Sequence, residues 1–396
     1  MTKKKHKETI AIRTQLSKTE FNEHSVPLYL TSSFVFDDAE TMRAMFADEK
    51  PGNIYSRFSN PNVNEFIDKI SQLENAEAGV AFASGMAAVF TTFATLLKSG
   101  DNVLCCNSVF GATHTVLEKQ LSKFGITHTY VDIHKTEEWE NAIKPNTKII
   151  FVETPSNPAI DLIDLAWLGK LSKKHKTILI VDNCFATPVI QQPIDFGADL
   201  VIHSATKYLD GQGRVMGGIV VGRKTMIDEI KGFLRASGPS LSPFNAWVLS
   251  KSIETLPIRM ERHSSNALKV AQYLEKHKEV ESIKYPFLKS HPQYKLAKKQ
   301  MSAGGGMIAF QIKGGLKRGR KFLDTLKMAS MTANLGDTRT IVTHPASTTH
   351  AKLTEQQRVE TGILPGLIRI SVGLEHVDDI IADLDQAFKR SKKVIS

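Results

Sequence analysis

The sequence has little cysteine and no long apolar segment. Only three of its 396 residues are cysteines, and none of them forms a CxxC pair. A disulfide framework is therefore not expected, which favours a reduced compartment. The sequence contains neither a signal-peptide-like start nor an apolar stretch of about 18 residues that would cross a membrane. It predicts a cytoplasmic protein that does not associate with membranes.

Several motif-defined functions are missing as well. The sequence contains no GxxxxGK[ST], no HExxH and no GxSxG. The stretch "GQGRVMGG", residues 211–218, is not GxGxxG, and it precedes an apolar run instead of opening a helix. A dinucleotide site is therefore not predicted. His203, His344 and His350 lack metal-ligand spacing, so no metal site is predicted either.

The charge balance is basic, with 51 Lys and Arg against 41 Asp and Glu, a net charge of 51 − 41 = +10. Part of the excess lies in the tails, in "TKKKHK" near the start and "KRSKK" near the end. The sequence shows no recognition helix, zinc finger or aromatic RNA-binding pattern. We therefore interpret the basic tails as solvated and do not predict nucleic-acid binding.

The chain divides by pattern into three parts, as its length suggests. Residues 1–60 are expected to be an irregular arm, and residues 61–256 alternate short apolar runs with helix-like segments. Continuous apolar runs separated by helices predict a mostly parallel, doubly wound α/β sheet of seven strands. The connection over 204–216 is too short for a helix, so the last strand is expected to be antiparallel. The predicted strands are 80–83, 102–106, 127–131, 148–152, 177–181, 200–203 and 217–221.

A smaller C-terminal α/β domain is predicted over residues 257–396. Pro257 opens a segment in which apolar residues recur at near-helical spacing. The expected strands of this domain lie near 280–285, 306–312, 340–343 and 367–372.

Lys207 is the first candidate for chemistry. It follows the buried run "LVIH" and the hydroxyl residues Ser204 and Thr206. A partly desolvated lysine has a depressed pKa and can act as a nucleophile toward an aldehyde. Pyridoxal phosphate is the aldehyde cofactor that fits, and it also needs a carboxylate for its ring nitrogen and anchors for its phosphate.

Each of those needs has a candidate in the sequence. Asp182 ends the run "TILIVD", at the carboxyl edge where ligands of α/β sheets bind. Residues 84–86 precede a helix-like segment whose first backbone amides suit a phosphate. The predicted phosphate anchors are Ser84, Gly85, Met86, Ser204 and Thr206, with Phe110 as the residue that stacks on the ring.

With these residues in place, the chain resembles the Cys/Met-metabolism family of pyridoxal-phosphate enzymes. The motifs that carry the resemblance are "YSRFSNP", "ASGMAA", "ETPSNP", "VDN", "SATKY", "HPAS" and "IRISVGLE", which span most of the chain. The resemblance implies transferase fold type I, the fold of aspartate aminotransferase. It also implies homo-oligomers with shared active sites, and we expect a tetramer.

The resemblance further implies a role for individual residues. Lys207 is expected to form the Schiff base with the cofactor and to shuttle protons, and Asp182 to pair with the pyridine nitrogen. Asn157 is expected near the ring hydroxyl. Arg369 is expected to clamp the substrate α-carboxylate, with Asn334 beside it. Tyr55 and Arg57 are expected to reach the phosphate of a neighbouring subunit.

Four positions depart from the family pattern. Phe110 and Asn334 stand where many members carry Tyr and Ser, and Ala112 stands where methionine γ-lyases carry Cys. Arg214 stands where lyases and synthases usually carry Asp. Our hypothesis is that Arg214 accepts the distal carboxylate of a succinyl ester, and the alternative is a structural or surface arginine.

The activity expected from the resemblance is γ-replacement, in which O-succinyl-L-homoserine and sulfide give L-homocysteine and succinate for methionine biosynthesis. Cystathionine γ-synthase and O-acetylhomoserine sulfhydrylase activities remain alternatives. A non-catalytic nucleic-acid-binding protein on a degenerate enzyme fold is the alternative from another class, and the intact lysine, aspartate and arginine set argues against it.

Overall fold

The structure of the protein is a computed structural model that describes residues 5–349, 351, 354–360 and 362–392. Its eleven strands form two sheets. The strands are β1 Ala78–Phe82, β2 Asn102–Cys106, β3 Thr127–Val131, β4 Thr147–Glu153, β5 Ile178–Asp182, β6 Leu200–Ser204, β7 Gly218–Gly222, β8 Val280–Lys284, β9 Met307–Ile312, β10 Ile341–Thr343 and β11 Leu367–Ser371.

Helices cover and connect these strands. The described helices are α1 Lys7–Arg13, α2 Ala39–Phe46, α3 Pro61–Glu74, α4 Gly85–Leu96, α5 Gly111–Thr115, α6 Thr136–Ala142, α7 Leu165–His175, α8 Thr187–Ile190, α9 Lys224–Ser237, α10 Pro243–Ile253, α11 Leu256–Glu275, α12 Tyr294–Gln300, α13 Gly315–Thr325, α14 Glu355–Glu360 and α15 Val377–Lys392. None of them combines the length and apolar character that a membrane-spanning segment requires.

The first sheet has seven strands in the order β1-β7-β6-β5-β4-β2-β3. The strands from β6 to β3 pair in parallel, whereas β7 is antiparallel to both of its neighbours. Every residue of β2 is buried, as expected for a strand covered by helices on both faces. The predicted parallel sheet and its antiparallel last strand are confirmed.

The second sheet has four antiparallel strands in the order β10-β11-β9-β8. Helices α11, α13 and α15 cover it, and Phe310, Phe322 and Phe388 form the aromatic centre of its core. The four strands predicted after Pro257 are all present. The boundaries at residues 60 and 256 stay predictions.

The arm over residues 1–60 is more regular than expected. It contains α1 and α2, and α1 buries Ile10 and Ala11. The side chain of Lys69, fully buried in α3, donates to the backbone oxygen of Ala11 at 3.1 Å, and its Nζ lies 3.4 Å from Glu65. The expectation of a wholly irregular arm is therefore wrong, because burial against α3 stabilises a helix too short to form alone.

The start of α4 packs closely against the start of β7. Ser84 caps the helix by accepting from the backbone N–H of Ala87 at 3.1 Å. Gly218, the first residue of β7, lies against this turn, and a Cβ on it would stand 2.2 Å from the backbone oxygen of Ser84. The absence of a side chain at residue 218 therefore sets the distance between β7 and the start of α4.

We predict that Gly218→Ala lowers the free energy of unfolding by about 1–3 kcal/mol, since β7 or the helix start has to shift. Gly232→Ala is the matched control, because Gly232 lies within α9 and a Cβ there meets nothing within 4 Å. The control should be neutral or gain about 0.5–1 kcal/mol. Urea unfolding of both variants measures the difference, and equal stabilities would contradict the packing argument.

Candidate active site

Side chains with chemistry meet at the carboxyl edge of the first sheet. Neighbouring strands β4, β5 and β6 end there in Glu153, Asp182 and Ser204, and Glu153 is in register with Asp182. Lys207 follows three residues after Ser204, in the tight turn that leaves β6. Parallel strands thus bring these groups to the edge where α/β sheets bind ligands.

The amine of Lys207 points toward the second sheet. Its Nζ donates to Oδ1 of Asn334 at 2.6 Å, and burial lowers the pKa of the amine. The segment that carries Asn334 packs directly on the lysine backbone. Gly336 permits this contact, because its φ is +74° and a Cβ on it would stand 2.7 Å from the backbone nitrogen of Tyr208.

Arg369, in the middle of β11, lies on the other side of Asn334. Its guanidinium donates to Oδ1 of Asn157 at 2.9 Å and to the backbone oxygen of Asn334 at 3.3 Å. Its Nε is buried without a partner among the described residues. Both of these acceptors are neutral, and burial lowers the pKa of Arg369 to about 10. The guanidinium therefore retains a net positive charge that suits a carboxylate ligand.

Asp182 has one hydrogen bond that favours its charged form. Its Oδ1 accepts from the backbone N–H of Cys184 at 3.0 Å. Burial nevertheless raises the pKa of the carboxyl group to about 6. A cationic partner such as a protonated pyridine nitrogen would reverse that shift.

The predicted phosphate anchors lie close together. A Cβ on Gly85 would stand 2.7 Å from the Cβ of Ser204, so the start of α4 meets the end of β6 directly. The Thr206 hydroxyl accepts from the backbone N–H of Gly217 at 3.2 Å, next to Gly218, which packs against Ser84. The first amides of α4, including those of Gly85 and Met86, and two hydroxyl groups are thus gathered at a helix N-terminus, which suits a phosphate.

Three of the predicted site residues are partly exposed or have other partners. Phe110 is 45% exposed, and its backbone N–H donates to Oε2 of Glu153 at 2.9 Å. Tyr55 is 42% exposed. Arg57 lies 4.8 Å from the ring centroid of Phe58 and bonds to the backbone oxygen of Arg235, at the end of α9. No described contact joins Tyr55 or Arg57 to Lys207 of the same chain.

Arg214 has a partner within the chain. Its backbone N–H donates to the fully buried carboxylate of Asp210 at 2.7 Å, and its guanidinium donates at 2.9 Å and 3.1 Å. It also bonds to Ser252. These contacts support the structural alternative for Arg214, although its side chain stays 41% exposed.

Two groups of the site were missed by the sequence analysis. Glu153 ends an apolar run as Asp182 does, and that parallel was the available signal. Cys184 lies two residues after Asp182, and its thiol donates to the backbone oxygen of Ser204 at 3.6 Å. Burial raises the pKa of this thiol. The described residues contain no group of three or more His, Cys, Asp or Glu that could hold a metal ion, and His350 lies outside them.

Comparison with known proteins identifies the family. Residues 8–389 match the family described as Cys/Met metabolism PLP-dependent enzyme. The chain belongs to this family. Pyridoxal 5'-phosphate is its cofactor, and the gathered amides, the half-buried Asp182 and the desolvated amine of Lys207 fit that group.

The relatives carry more than one activity. The chain is 48% identical to an O-succinylhomoserine sulfhydrylase of Pseudomonas aeruginosa over 377 residues, 95% of this chain and 94% of the relative. It is 44% identical to an L-methionine γ-lyase of Fusobacterium nucleatum subsp. nucleatum, which covers 96% of this chain and 98% of the relative.

Solved structures confirm the fold. A cystathionine γ-lyase from Lactobacillus plantarum is similar with a TM-score of 0.92 and 36% identity, covering 98% of this chain and 100% of that one. A Campylobacter jejuni protein whose structure contains N'-pyridoxyl-lysine-5'-monophosphate is similar with a TM-score of 0.93 and 36% identity, covering 97% of this chain and 100% of that one. The predicted fold class, fold type I of the pyridoxal-phosphate enzymes, is therefore confirmed.

The raised pKa of Asp182 predicts a pH-dependent stability in the cofactor-free protein. The pKa of Asp182 in the folded protein, about 6, exceeds the ordinary value of 3.8. The protonated carboxyl group therefore contributes fully to folding stability below about pH 4, and this contribution is lost as the pH rises through about 6. The loss should be about 2–3 kcal/mol. Asparagine does not titrate, so Asp182→Asn should remove this pH-dependent part of the free energy of unfolding. The measurement is the difference between the urea unfolding energies of the two proteins at several pH values, and a constant difference would contradict it.

We expect Arg214→Ala to act on stability. The change leaves the buried carboxylate of Asp210 with fewer partners and should cost about 1–2 kcal/mol, since the arginine is partly exposed. Thermal unfolding measures this loss. The ratio of kcat/KM for succinyl and acetyl esters of homoserine should stay within about twofold. A marked fall in that ratio at unchanged stability would instead support the hypothesis that Arg214 binds the succinyl group.

Proposed function

We propose that the protein catalyses γ-replacement, converting O-succinyl-L-homoserine and sulfide to L-homocysteine and succinate. The observation that carries this reaction class is the link from Lys207 through Asn334 to Arg369. It brings a basic amine close to a guanidinium whose hydrogen-bond acceptors are neutral. The choice of succinyl ester and sulfide rests on similarity to the Pseudomonas aeruginosa sulfhydrylase and on the departures at residues 110 and 112.

The cofactor, when bound, supplies an electron sink for the negative charge that develops on the substrate α-carbon. Asp182 is the residue that would pair with the ring nitrogen. Ser84, Gly85, Met86, Ser204 and Thr206 would hold the phosphate. Asn157 would lie near the ring hydroxyl, and Phe110 would stack on the ring.

Arg369 orients the substrate. Its guanidinium binds the α-carboxylate, and Asn157 and Asn334 hold the guanidinium in place without neutralising its charge. A fixed α-carboxylate restricts the α-carbon to positions near the amine of Lys207. Such orientation converts a bimolecular proton transfer into an effectively intramolecular one.

Lys207 moves the protons. Its lowered pKa makes the neutral amine more available as a base near neutral pH. The amine removes the α-proton and then helps to remove a β-proton, after which succinate leaves from the γ-carbon. Sulfide adds at the γ-carbon, and Lys207 returns the protons. Phe110 has no ionisable group, so it takes no part in these transfers.

Elimination is the second candidate function. Six of the curated relatives with 42–45% identity are L-methionine γ-lyases, and the proton transfers described above also serve elimination. Ala112 weighs against elimination, because methionine γ-lyases carry a cysteine at this position. Cystathionine γ-synthase and O-acetylhomoserine sulfhydrylase activities differ only in the nucleophile or the leaving group.

The sites are proposed to be shared between subunits. No described hydrogen bond or ion pair joins Tyr55 or Arg57 to the phosphate anchors of their own chain, which suits a contribution to a partner's site. The arm that carries them exposes large apolar side chains, among them Leu30 at 70% and Val35 at 99%. A second copy of the chain would cover these side chains. We propose residues 1–60 as an exchanged arm, residues 61–256 as the cofactor domain, residues 257–396 as the small domain, and a tetramer as the assembly.

A product assay tests the proposed activity. Purified enzyme is supplied with O-succinyl-L-homoserine and either sulfide, cysteine or no nucleophile, and L-methionine is tested separately. We expect homocysteine and succinate from sulfide at the highest rate. O-acetyl-L-homoserine serves as the matched substrate and should react more slowly. Cystathionine as the main product would assign the synthase activity, and 2-oxobutanoate with methanethiol from methionine would assign the lyase activity.

A further inference from the structure

Glu153 lies beside Asp182 at the cofactor site without an assigned role. The two residues are partners in register on the neighbouring parallel strands β4 and β5, so their side chains leave the sheet on the same face. Glu153 is 6% exposed. Asp182 is half-buried. Two adjacent carboxyl groups shielded from water can both be ionised only at a high cost, so we expect one of them to keep a proton.

The carboxyl group of Glu153 also fixes the residue expected on the cofactor ring. Its Oε2 accepts the backbone N–H of Phe110 at 2.9 Å. Phe110 immediately precedes α5 and has no side-chain cap of its own. Its backbone oxygen accepts from Thr113 at 2.8 Å, which ties it to the helix. The hydrogen bond that Phe110 donates to Glu153 therefore attaches the start of this helix to β4.

We propose that Glu153 is a positioning residue of the cofactor site: it anchors the backbone of Phe110 and, in its uncharged form, leaves Asp182 as the one anionic carboxylate facing the ring. The inference rests on the cofactor and on no choice of substrate. It therefore stands or falls independently of the proposed sulfhydrylase activity.

The surroundings of the pair favour this division of charge. Burial and the neighbouring Asp182 raise the pKa of Glu153 well above its ordinary range, and Cys106 adds to this effect. The Phe110 amide and Arg369 act in the opposite direction but less strongly than burial. The pKa of Asp182 rises only to about 6, lowered by the Cys184 amide and by His203. Asp182 therefore gives up its proton first, and a cationic ring nitrogen would strengthen that order.

The division of charge has a chemical consequence. A single anionic carboxylate keeps the ring nitrogen protonated, which the electron sink requires. A second anion beside it would raise the cost of burying both. A carboxylic acid at residue 153 avoids that cost and still offers the carbonyl oxygen that the Phe110 amide needs.

The first test compares Glu153→Gln with Glu153→Ala in the holoenzyme. Glutamine keeps an acceptor of the same reach and is always neutral, whereas alanine removes the acceptor and leaves a cavity. We expect the Gln variant to keep the cofactor dissociation constant within about twofold, and the Ala variant to raise it about tenfold through loss of one buried hydrogen bond. Dialysis with absorbance detection measures both. Equal losses in the two variants would overturn the proposal.

The second test reads the charge directly. The pH titration of the visible absorbance of the bound cofactor should be the same in wild type and Glu153→Gln if residue 153 is uncharged. A shift of the titration midpoint would show that Glu153 carries charge and would overturn that half of the proposal. Circular dichroism of the holoenzyme checks that each variant is folded.

A double-mutant cycle separates anchoring from general packing. Phe110→Ala and Glu153→Ala are combined, and cofactor dissociation constants are compared. If Glu153 acts through Phe110, the double variant should lose about as much affinity as one single variant. Additive losses would assign Glu153 a structural role unrelated to Phe110 and contradict the proposal.

Discussion

Three ionisable groups near the carboxyl edge of the large sheet are shielded from water and compensated mainly by neutral dipoles. Lys207 donates to an amide oxygen, Arg369 to an amide and a carbonyl oxygen, and Asp182 accepts from a backbone amide. Neutral partners hold a charge in position but cancel little of it. The charges of Arg369 and Asp182 therefore remain available to a ligand of opposite charge, and burial enlarges that attraction. The same burial explains the pKa directions of all three groups.

The path of the backbone alone brings these groups close together. The parallel strands β4, β5 and β6 end at one edge, and the short antiparallel return through β7 carries Gly217 and Gly218 back to the start of α4. The second sheet contributes Arg369 from β11, while Gly336 lets the preceding segment lie on the backbone of Lys207. The site thus depends on two close backbone approaches, both of which exclude a Cβ.

Much of the fold and part of the site could be predicted from the sequence, because the patterns that encode them are local. The buried runs, the short last connection, and the placement of Lys207 and Asp182 at strand ends all follow from periodicity and chain length. The hydrogen bond between Lys207 and Asn334 joins residues 127 positions apart, and no local pattern encodes it. The arm was expected to be irregular because residues 1–60 are rich in Ser, Asn, Pro and Gly, and only the burial of α1 against α3 reveals a helix there. Arg214 and Asp210 are four residues apart but lie in a non-helical turn, so helical i,i+4 spacing did not predict their pairing.

The described cluster contains few groups that can exchange a proton with a substrate. Arg369 stays protonated even with its pKa near 10, and Phe110 offers none. Asp182 is engaged by the Cys184 amide and, in the proposed arrangement, by the ring nitrogen. In the proposed mechanism, the transfers at the α- and β-carbons are assigned to the amine of Lys207. Asn334 accepts from that amine at Oδ1 and from Arg369 at its backbone oxygen. In the proposed mechanism, replacement and elimination share this proton path, so we expect the difference between them to lie in how the site admits sulfide.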